Sequence, residues 1–264
     1  MTARISLEQN HALDWLQEQP ANSIDFLLTD PPYNVTNLSY EGDMVWDGHL
    51  FRRWWEQVKH AVKSNAWIAM FGVDMFAARL MLSESRAYKY QHVWVKTRKT
   101  AHLRSSYGPL AEHELILMFN FGLVTCSTYN PVRSEAETLR GSRSATESHG
   151  KHYSAHGNMP AWADDGTRHP TTVLYYPSPK RTKESHPSQK PVSLLQYLIL
   201  TYSNYNDVVA DPFMGSGSAG VAAISLKRRF CGCDVNQHWV EHAGKAIAQE
   251  AMVEPLFSEK VDAS

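Results

Sequence analysis

The stretch that most limits what this chain can become is Thr29-Asp30-Pro31-Pro32-Tyr33-Asn34. Five largely apolar, β-prone residues, 24–28, run into it. A short apolar run bounded by turn residues fits a strand covered on both faces. The double proline then ends the ladder, because neither ring nitrogen can donate a hydrogen bond. A carboxylate, a rigid turn and an aromatic ring therefore stand at the C-terminal end of one buried strand. In open α/β sheets ligands bind outside those ends. Asp30 could equally cap an ordinary strand-ending turn, and this stretch alone does not separate the two readings.

A second stretch does. Residues 208–211 read as a strand, Pro212-Phe213-Met214-Gly215-Ser216-Gly217-Ser218 as a glycine turn, and 219–227 as a helix. The next strand, 229–233, ends at Asp234. Glycines let a backbone approach a nucleotide, and an acid about 20 residues on accepts hydrogen bonds from ribose hydroxyls. Gly215-x-Gly217-x-x-Gly220 also meets the dinucleotide fingerprint, which by itself points to an NAD-dependent oxidoreductase. That fold needs a second mononucleotide half, whereas one helix and a tail follow Asp234. It also leaves Asp30 to Tyr33 without a role.

Taken together, Asp30-Pro-Pro-Tyr33 and Asp211-Pro-Phe-x-Gly-Ser-Gly217 resemble the amino-group DNA methyltransferases that use S-adenosylmethionine (AdoMet). A third match is His186-Pro187-Ser188-Gln189-Lys190-Pro191, close to that family's His-Pro-Thr-Gln-Lys-Pro. The order, catalytic motif first and AdoMet motif last, resembles the β class. The resemblance covers most of the chain outside about residues 125–170. It implies a Rossmann-like α/β methyltransferase with a mostly parallel seven-stranded sheet, one strand near the edge being antiparallel. Residues 1–124 would form the catalytic part, 125–170 a small target-recognition insert, and 171–264 the AdoMet-binding part of the same domain.

The resemblance also assigns roles. Asp30, Pro31, Pro32 and Tyr33 would be catalytic. Phe213, Gly215 and Gly217 would line the AdoMet pocket, with Asp211 near the methionine amino group and Asp234 on the ribose hydroxyls. Lys190 and Ser188 would sit near the methionine end; Ser188 replaces the family's usual Thr but keeps the hydroxyl. Adenine N6 is a poor nucleophile, because its lone pair is delocalised into the ring. Asp30 and the Pro31 carbonyl could each accept a hydrogen bond from the amino group and so localise that pair. The base must leave the duplex, and Tyr33 would stack on it. Cytosine-N4 enzymes of the family more often carry Ser at the place of Asp30, which favours adenine and leaves cytosine-N4 as the alternative. A protein-glutamine methyltransferase would begin the motif with Asn and place the AdoMet loop upstream. A DNA-binding protein without catalysis is the rival from another class, and the intact motifs oppose it.

The net charge is −1, so contact with double-stranded DNA must come from local patches. One candidate is Lys96-Thr-Arg98-Lys99-Thr-Ala-His102-Leu-Arg104, with four fixed positive charges and no acid, read as a loop leaving a strand at 90–95. Another is the aperiodic stretch from about 126 to 170, where Arg133, Arg140 and Arg143, with Lys151 and Arg168, could reach phosphates or guanine edges. His149, His152 and His156 lie there too, but no cysteine or carboxylate nearby completes a set, so no metal is expected. His113-Glu114 reads as a hydrogen-bonding pair at the mouth of a strand at 114–120.

Cys126, Cys231 and Cys233 read as free thiols of a reducing compartment. No apolar run approaches 18 residues, so no membrane span is expected. The expected location is a cytoplasm, bacterial or that of a phage-infected host, and family precedent allows a homodimer. Ser6 and Gln9 form a capping-box pattern that predicts a helix to about Glu18. Further helices are expected at 51–62, 74–85, 192–202 and 237–251, strands at 66–71 and 172–176, and a loop beside the site at 34–47.

Overall fold

Ile24, Phe26, Leu27 and Leu28 are fully buried, as a strand covered on both faces requires. A computed structural model describes residues 5–33, 45–138, 163–180 and 188–252. In chain order the elements are β1 (Ile5–Gln9), α1 (Ala12–Glu18), β2 (Ile24–Thr29), α2 (Gly48–Ala61), β3 (Val62–Gly72), α3 (Asp74–Ser83), β4 (Tyr88–Thr100) and β5 (Ala111–Phe119). They continue with β6 (Ser134–Glu135), β7 (Thr167–Arg168), β8 (Val173–Tyr175), α4 (Val192–Tyr202), β9 (Val208–Asp211), α5 (Ser218–Ser225), β10 (Arg229–Asp234) and α6 (Gln237–Met252).

The chain divides into two compact units, residues 1–130 with 172–264, and Pro131–Thr171. In the first, eight strands form one sheet in the order β1-β10-β9-β2-β3-β5-β4-β8. All neighbours are parallel except β5, which runs against both β3 and β4. Alternate strand residues face opposite sides. Leu27, Ile68 and Met70 pack with Trp15, Trp54 and Phe76 of α1, α2 and α3. Phe26, Leu28 and Trp67 pack with Leu198, Ala222 and Ile247 of α4, α5 and α6. Helices therefore cover both faces, and the sheet is doubly wound.

Two expectations change. The sheet has eight strands rather than seven, and β1 is the strand that the sequence reading missed. Ser6 and Gln9 do not start a helix: residues 5–9 pair in register with β10, from Ile5↔Phe230 to Gln9↔Asp234. That ladder satisfies the backbone groups a helix cap would have served, and tertiary pairing overrides the local pattern. The helix begins only at Ala12. Second, β4 does not stop at Val95 but continues to Thr100, so Lys96, Arg98 and Lys99 belong to a strand instead of a loop. Glu114 likewise lies within β5, paired opposite Trp94, not at its mouth.

In the second unit β6 and β7 pair antiparallel, Ser134↔Arg168 and Glu135↔Thr167. Arg133 donates to the Asp165 carboxylate and, at 2.8 Å, to Thr167 Oγ1. Arg168 is held by Asp164 at 2.7 and 2.9 Å. Residues up to Asn130 belong to the first unit, where the Asn130 amide donates to the Leu200 and Ser203 carbonyls. Arg140, Arg143, Lys151 and the three histidines of this stretch lie outside the described residues, as do most of the loop expected at 34–47 and His186-Pro187.

Candidate active site

The winding of the sheet locates the site. From β2 the chain crosses through α2 to β3, moving one way along the sheet. From β9 it crosses through α5 to β10, moving the other way. β2 and β9 are neighbours, paired at Phe26↔Val209 and Leu27↔Ala210. The crevice outside their carboxyl ends is the topological switch point, where doubly wound sheets bind ligands. Asp30 follows β2, Asp211 ends β9 and Asp234 ends β10. Because β5 is antiparallel, its beginning reaches the same edge and brings Glu114 there. The late part of β4 brings Lys96.

Around Asp30 the structure gathers a buried chain of alternating charge. One Asp30 oxygen accepts the Tyr33 hydroxyl, and the other accepts Lys190 Nζ. Lys190 Nζ also lies 3.5 Å from Glu114 Oε2 and 4.8 Å from the Phe71 ring centroid. Lys96 Nζ donates to Glu114 Oε1 at 3.1 Å. Burial raises the Asp30 carboxyl above the usual range, and the nearby Lys190 charge only partly opposes this. Burial pushes Glu114 the same way, but the Lys190 and Lys96 ammoniums overcome it and hold Glu114 below its ordinary value. For Lys190, burial disfavours the cation, yet the Asp30 and Glu114 carboxylates outweigh it and raise its pKa. The Tyr33 phenol is raised well above its usual value by burial and by the Asp30 carboxylate, so it stays a donor. The turn itself is braced: Trp46 Nε1 donates to the Pro32 carbonyl at 2.8 Å, and the Tyr33 ring packs 4.9 Å from Phe76.

Around Asp211 the pattern differs. The buried carboxyl accepts the Thr29 hydroxyl at 2.6 Å and the Phe213 N–H at 3.0 Å, both on Oδ1. Burial pushes it up to about 7 despite these hydrogen bonds. Asp234 accepts the Gly215 N–H at 3.0 Å and the Asn236 N–H at 2.9 Å. The glycine turn needs its glycines for two different reasons. Gly215 and Gly217 take φ of 49° and 76°, the left-handed region that favours glycine. A Cβ on Gly220 would collide with Ile247 and Phe230, so this third glycine serves helix packing. Phe213 stacks on Trp54 with ring centroids 5.7 Å apart.

The expected residues fall into place unevenly. Asp30, Tyr33 and Lys190 come together, but Lys190 contacts Asp30 and Glu114, a partnership that its expected place at a methionine end did not include. Ser188 is exposed, and its carbonyl lies 3.4 Å from Lys190 Nζ. Lys96, expected to reach phosphate, is only 7 % exposed and spends its charge on Glu114. Arg98 and Lys99 are exposed on the end of β4, with Lys99 3.6 Å from Glu112. Arg104 ends a single turn of 3-10 helix, His102–Arg104. Glu114 was the residue most underrated. The one signal for it was an acid directly ahead of the apolar run 115–119, where burial calls for a cation nearby.

A doubly wound sheet with an Asp-Pro-Pro-Tyr turn and a glycine turn flanking its switch point is the framework of a DNA methylase. The family model described as DNA methylase, that of the N6/N4 methyltransferases, matches residues 24–245, and the chain belongs to this family. Among curated relatives it is 25 % identical over 259 residues to the type II methyltransferase M1.MboII of Moraxella bovis, covering 92 % of this chain and 96 % of the relative. It is 28 % identical over 245 residues to the DNA adenine methyltransferase YhdJ of Escherichia coli, covering 87 % of this chain and 78 % of the relative. Among solved structures, the M1.HpyAVI–SAM complex aligns with TM-score 0.58 at 20 % identity, over 91 % of this chain and 98 % of that one. The cytosine-N4-specific PvuII DNA methyltransferase aligns with TM-score 0.65 at 14 % identity, over 98 % and 89 %. These two likenesses are likenesses of fold.

Proposed function

We propose that the protein transfers a methyl group from AdoMet to N6 of an adenine flipped out of double-stranded DNA. The observation that carries this reading is the Asp30 carboxylate at the switch point, with both oxygens turned to hydrogen-bond donors. A group so placed can receive the two N–H donors of an exocyclic amine, together with the Pro31 carbonyl. Asp30 then localises the amine lone pair and stabilises the positive charge that grows on nitrogen. Tyr33, whose hydroxyl now occupies one Asp30 oxygen, stacks on the base after giving up that place. The hydrogen bond from Trp46 to the Pro32 carbonyl braces the turn and keeps the carboxylate from following it.

The residues present suit AdoMet on their own chemistry. A buried carboxyl raised to about 7, bonded by a hydroxyl and an amide, is stabilised in its ionised form by an incoming ammonium, which supports the reading of Asp211 at the methionine amine. Asp234 ends β10 with its carboxylate turned to the glycine turn, accepting the Gly215 N–H at 3.0 Å, and in this reading it meets the ribose hydroxyls. In this reading Phe213, Gly215 and Gly217 line the AdoMet site, and Ser188 lies near its methionine end. When bound, AdoMet supplies an electrophilic methyl group on a sulfonium.

Exposed Arg98 and Lys99, with Arg104, serve DNA phosphates in this reading, and the second unit with Arg133 reads the target. Arg140 and Arg143 belong to that unit's sequence. The work is done in a cytoplasm, and a homodimer is the assembly we favour. Among the described residues no helix is long and apolar enough to cross a membrane. The adenine reading draws support from the likeness to YhdJ, a DNA adenine methyltransferase, with cytosine-N4 as the alternative. Incubation with labelled AdoMet and unmethylated DNA, then nucleoside digestion, should yield N6-methyladenine. N4-methylcytosine alone would overturn the choice of base, and no methylated nucleoside would overturn the activity.

A further inference from the structure

One ion pair would suffice to keep Asp30 charged, yet the site buries two. Lys96, Lys190, Asp30 and Glu114 have side chains exposed by 7, 10, 17 and 17 %. Taking charges out of water is costly unless each is well paired, so the second acid and second base need a reason. Neither is a group that the methylation reading places on base or cofactor.

The geometry gives one. Lys190 Nζ donates to Asp30, in the turn after β2, and stands 3.5 Å from Glu114 Oε2 on strand β5, a buried oxygen with no hydrogen-bond partner among the described residues. With Glu114 charged, Asp30 receives only part of the Lys190 charge and also faces a second negative charge. Both effects leave Asp30 more basic and a stronger acceptor. Lys96, reaching Glu114 from β4, keeps that second charge in place. Asp30 is faced by Tyr33 from its own turn, by Lys190 from the segment before α4, by Glu114 from β5, and through charge by Asp211 at the end of β9.

We propose that Glu114, fixed by Lys96, is a positioning residue for methyl transfer: it draws Lys190 away from Asp30 so that the carboxylate can accept the target amine. This rests on the function proposed above. It predicts that the Lys190–Asp30 bond loosens when the amine arrives, with Glu114 as the place the ammonium goes.

Glu114→Gln in the full chain keeps the shape and removes the charge. Lys190 then belongs to Asp30 alone. The single-turnover methylation rate should fall roughly 10- to 100-fold, the scale of a misplaced reacting group. AdoMet affinity should change less than about threefold, because the loss lies in the transfer step. The acidic limb of the rate should move to lower pH, since Asp30 loses the influence that raised it. Glu114→Asp, which keeps the charge, should recover part of the rate and return the limb. A slower Glu114→Gln enzyme with an unmoved limb would show a merely structural role and overturn the proposal, as would an unchanged rate. If Glu114→Gln does not fold, Lys96→Met with Glu114→Gln removes both partners and gives the same readout. Titration of the Asp30 carboxyl by carbon-13 NMR without DNA tests the inference apart from the function. Asp30 should titrate lower in the variant than in the wild type, and identical titrations would overturn the inference even for a chain that methylates DNA.

Discussion

Asp30 and Asp211 stand at the ends of neighbouring strands, both are buried, and burial raises both. They are neutralised in different ways. On the β2 side, Asp30 has a fixed cation, a second acid beyond it and a second cation beyond that, so the cluster sums to zero by itself. On the β9 side, Asp211 meets a hydroxyl and an amide N–H, neither charged. A cluster complete in charge suits a neutral donor such as an amine on a base. A carboxyl hydrogen-bonded only to neutral donors, with other acids and no cation acting on it, suits a ligand that carries its own positive charge. In the proposed function, the two halves of one crevice thus sort two substrates by charge.

Three measurements bear on this contrast. The largest effect should come from Asp30→Ala, which removes the acceptor for the target amine. Single-turnover methylation should fall by roughly 100- to 1000-fold, the scale seen when one stabilising polar group is deleted. Calorimetry should find AdoMet bound nearly as before. A variant that lost AdoMet but turned over normally once loaded would erase the division between halves. Next comes Asp234→Ala on the other side, which removes an acceptor for two hydroxyls. AdoMet should bind about 1.5–3 kcal/mol more weakly, with the transfer rate at saturation little changed. Equal losses in binding and rate would mean the halves are not separable at Asp234.

The smallest effect is a pH dependence. The folded-state value of Asp211, about 7, lies above its ordinary 3.8. An acid raised in this way withdraws stability from the ligand-free protein as pH rises from about 4 to 7, because the folded state holds the proton longer. An ammonium ligand favours the ionised form. AdoMet affinity should therefore climb with pH toward 7, by at most about tenfold per unit, and level off above it. Asp211→Asn should flatten that climb. A wild-type affinity independent of pH between 5 and 8 would mean that Asp211 does not meet the amine.

Much of the framework was legible because its signals are local. Residues 24–34 carry strand, stop and carboxylate in one run, and 208–234 carry strand, glycine turn, helix and acid in another. The failures share a cause. Ser6 and Gln9 look like a helix start, and only pairing with residues 230–234 turns them into a strand. Lys96 looks like a free cation, and only the register of β4 on β5 brings it to Glu114. Lys190 reaches Asp30 across 160 positions. Each depends on partners far away in the chain, for which spacing gives no sign.

The adjacency of β2 and β9 has a consequence for how the chain is born. Thr29 and its partner Asp211 are 182 positions apart. At bacterial or slower rates of synthesis, about 5–20 residues per second, β2 waits roughly 10–40 s for its second neighbour to be made. Until then one edge of the central strand, apolar on both faces, lies open on the nascent chain. Closing the sheet means inserting β9 and β10 between β2 and β1, a long-range event of the kind that folds slowly. The crevice at the switch point exists only once β9 is made, and a ribosome-bound intermediate with β2 and β3 paired would hold one half of it alone.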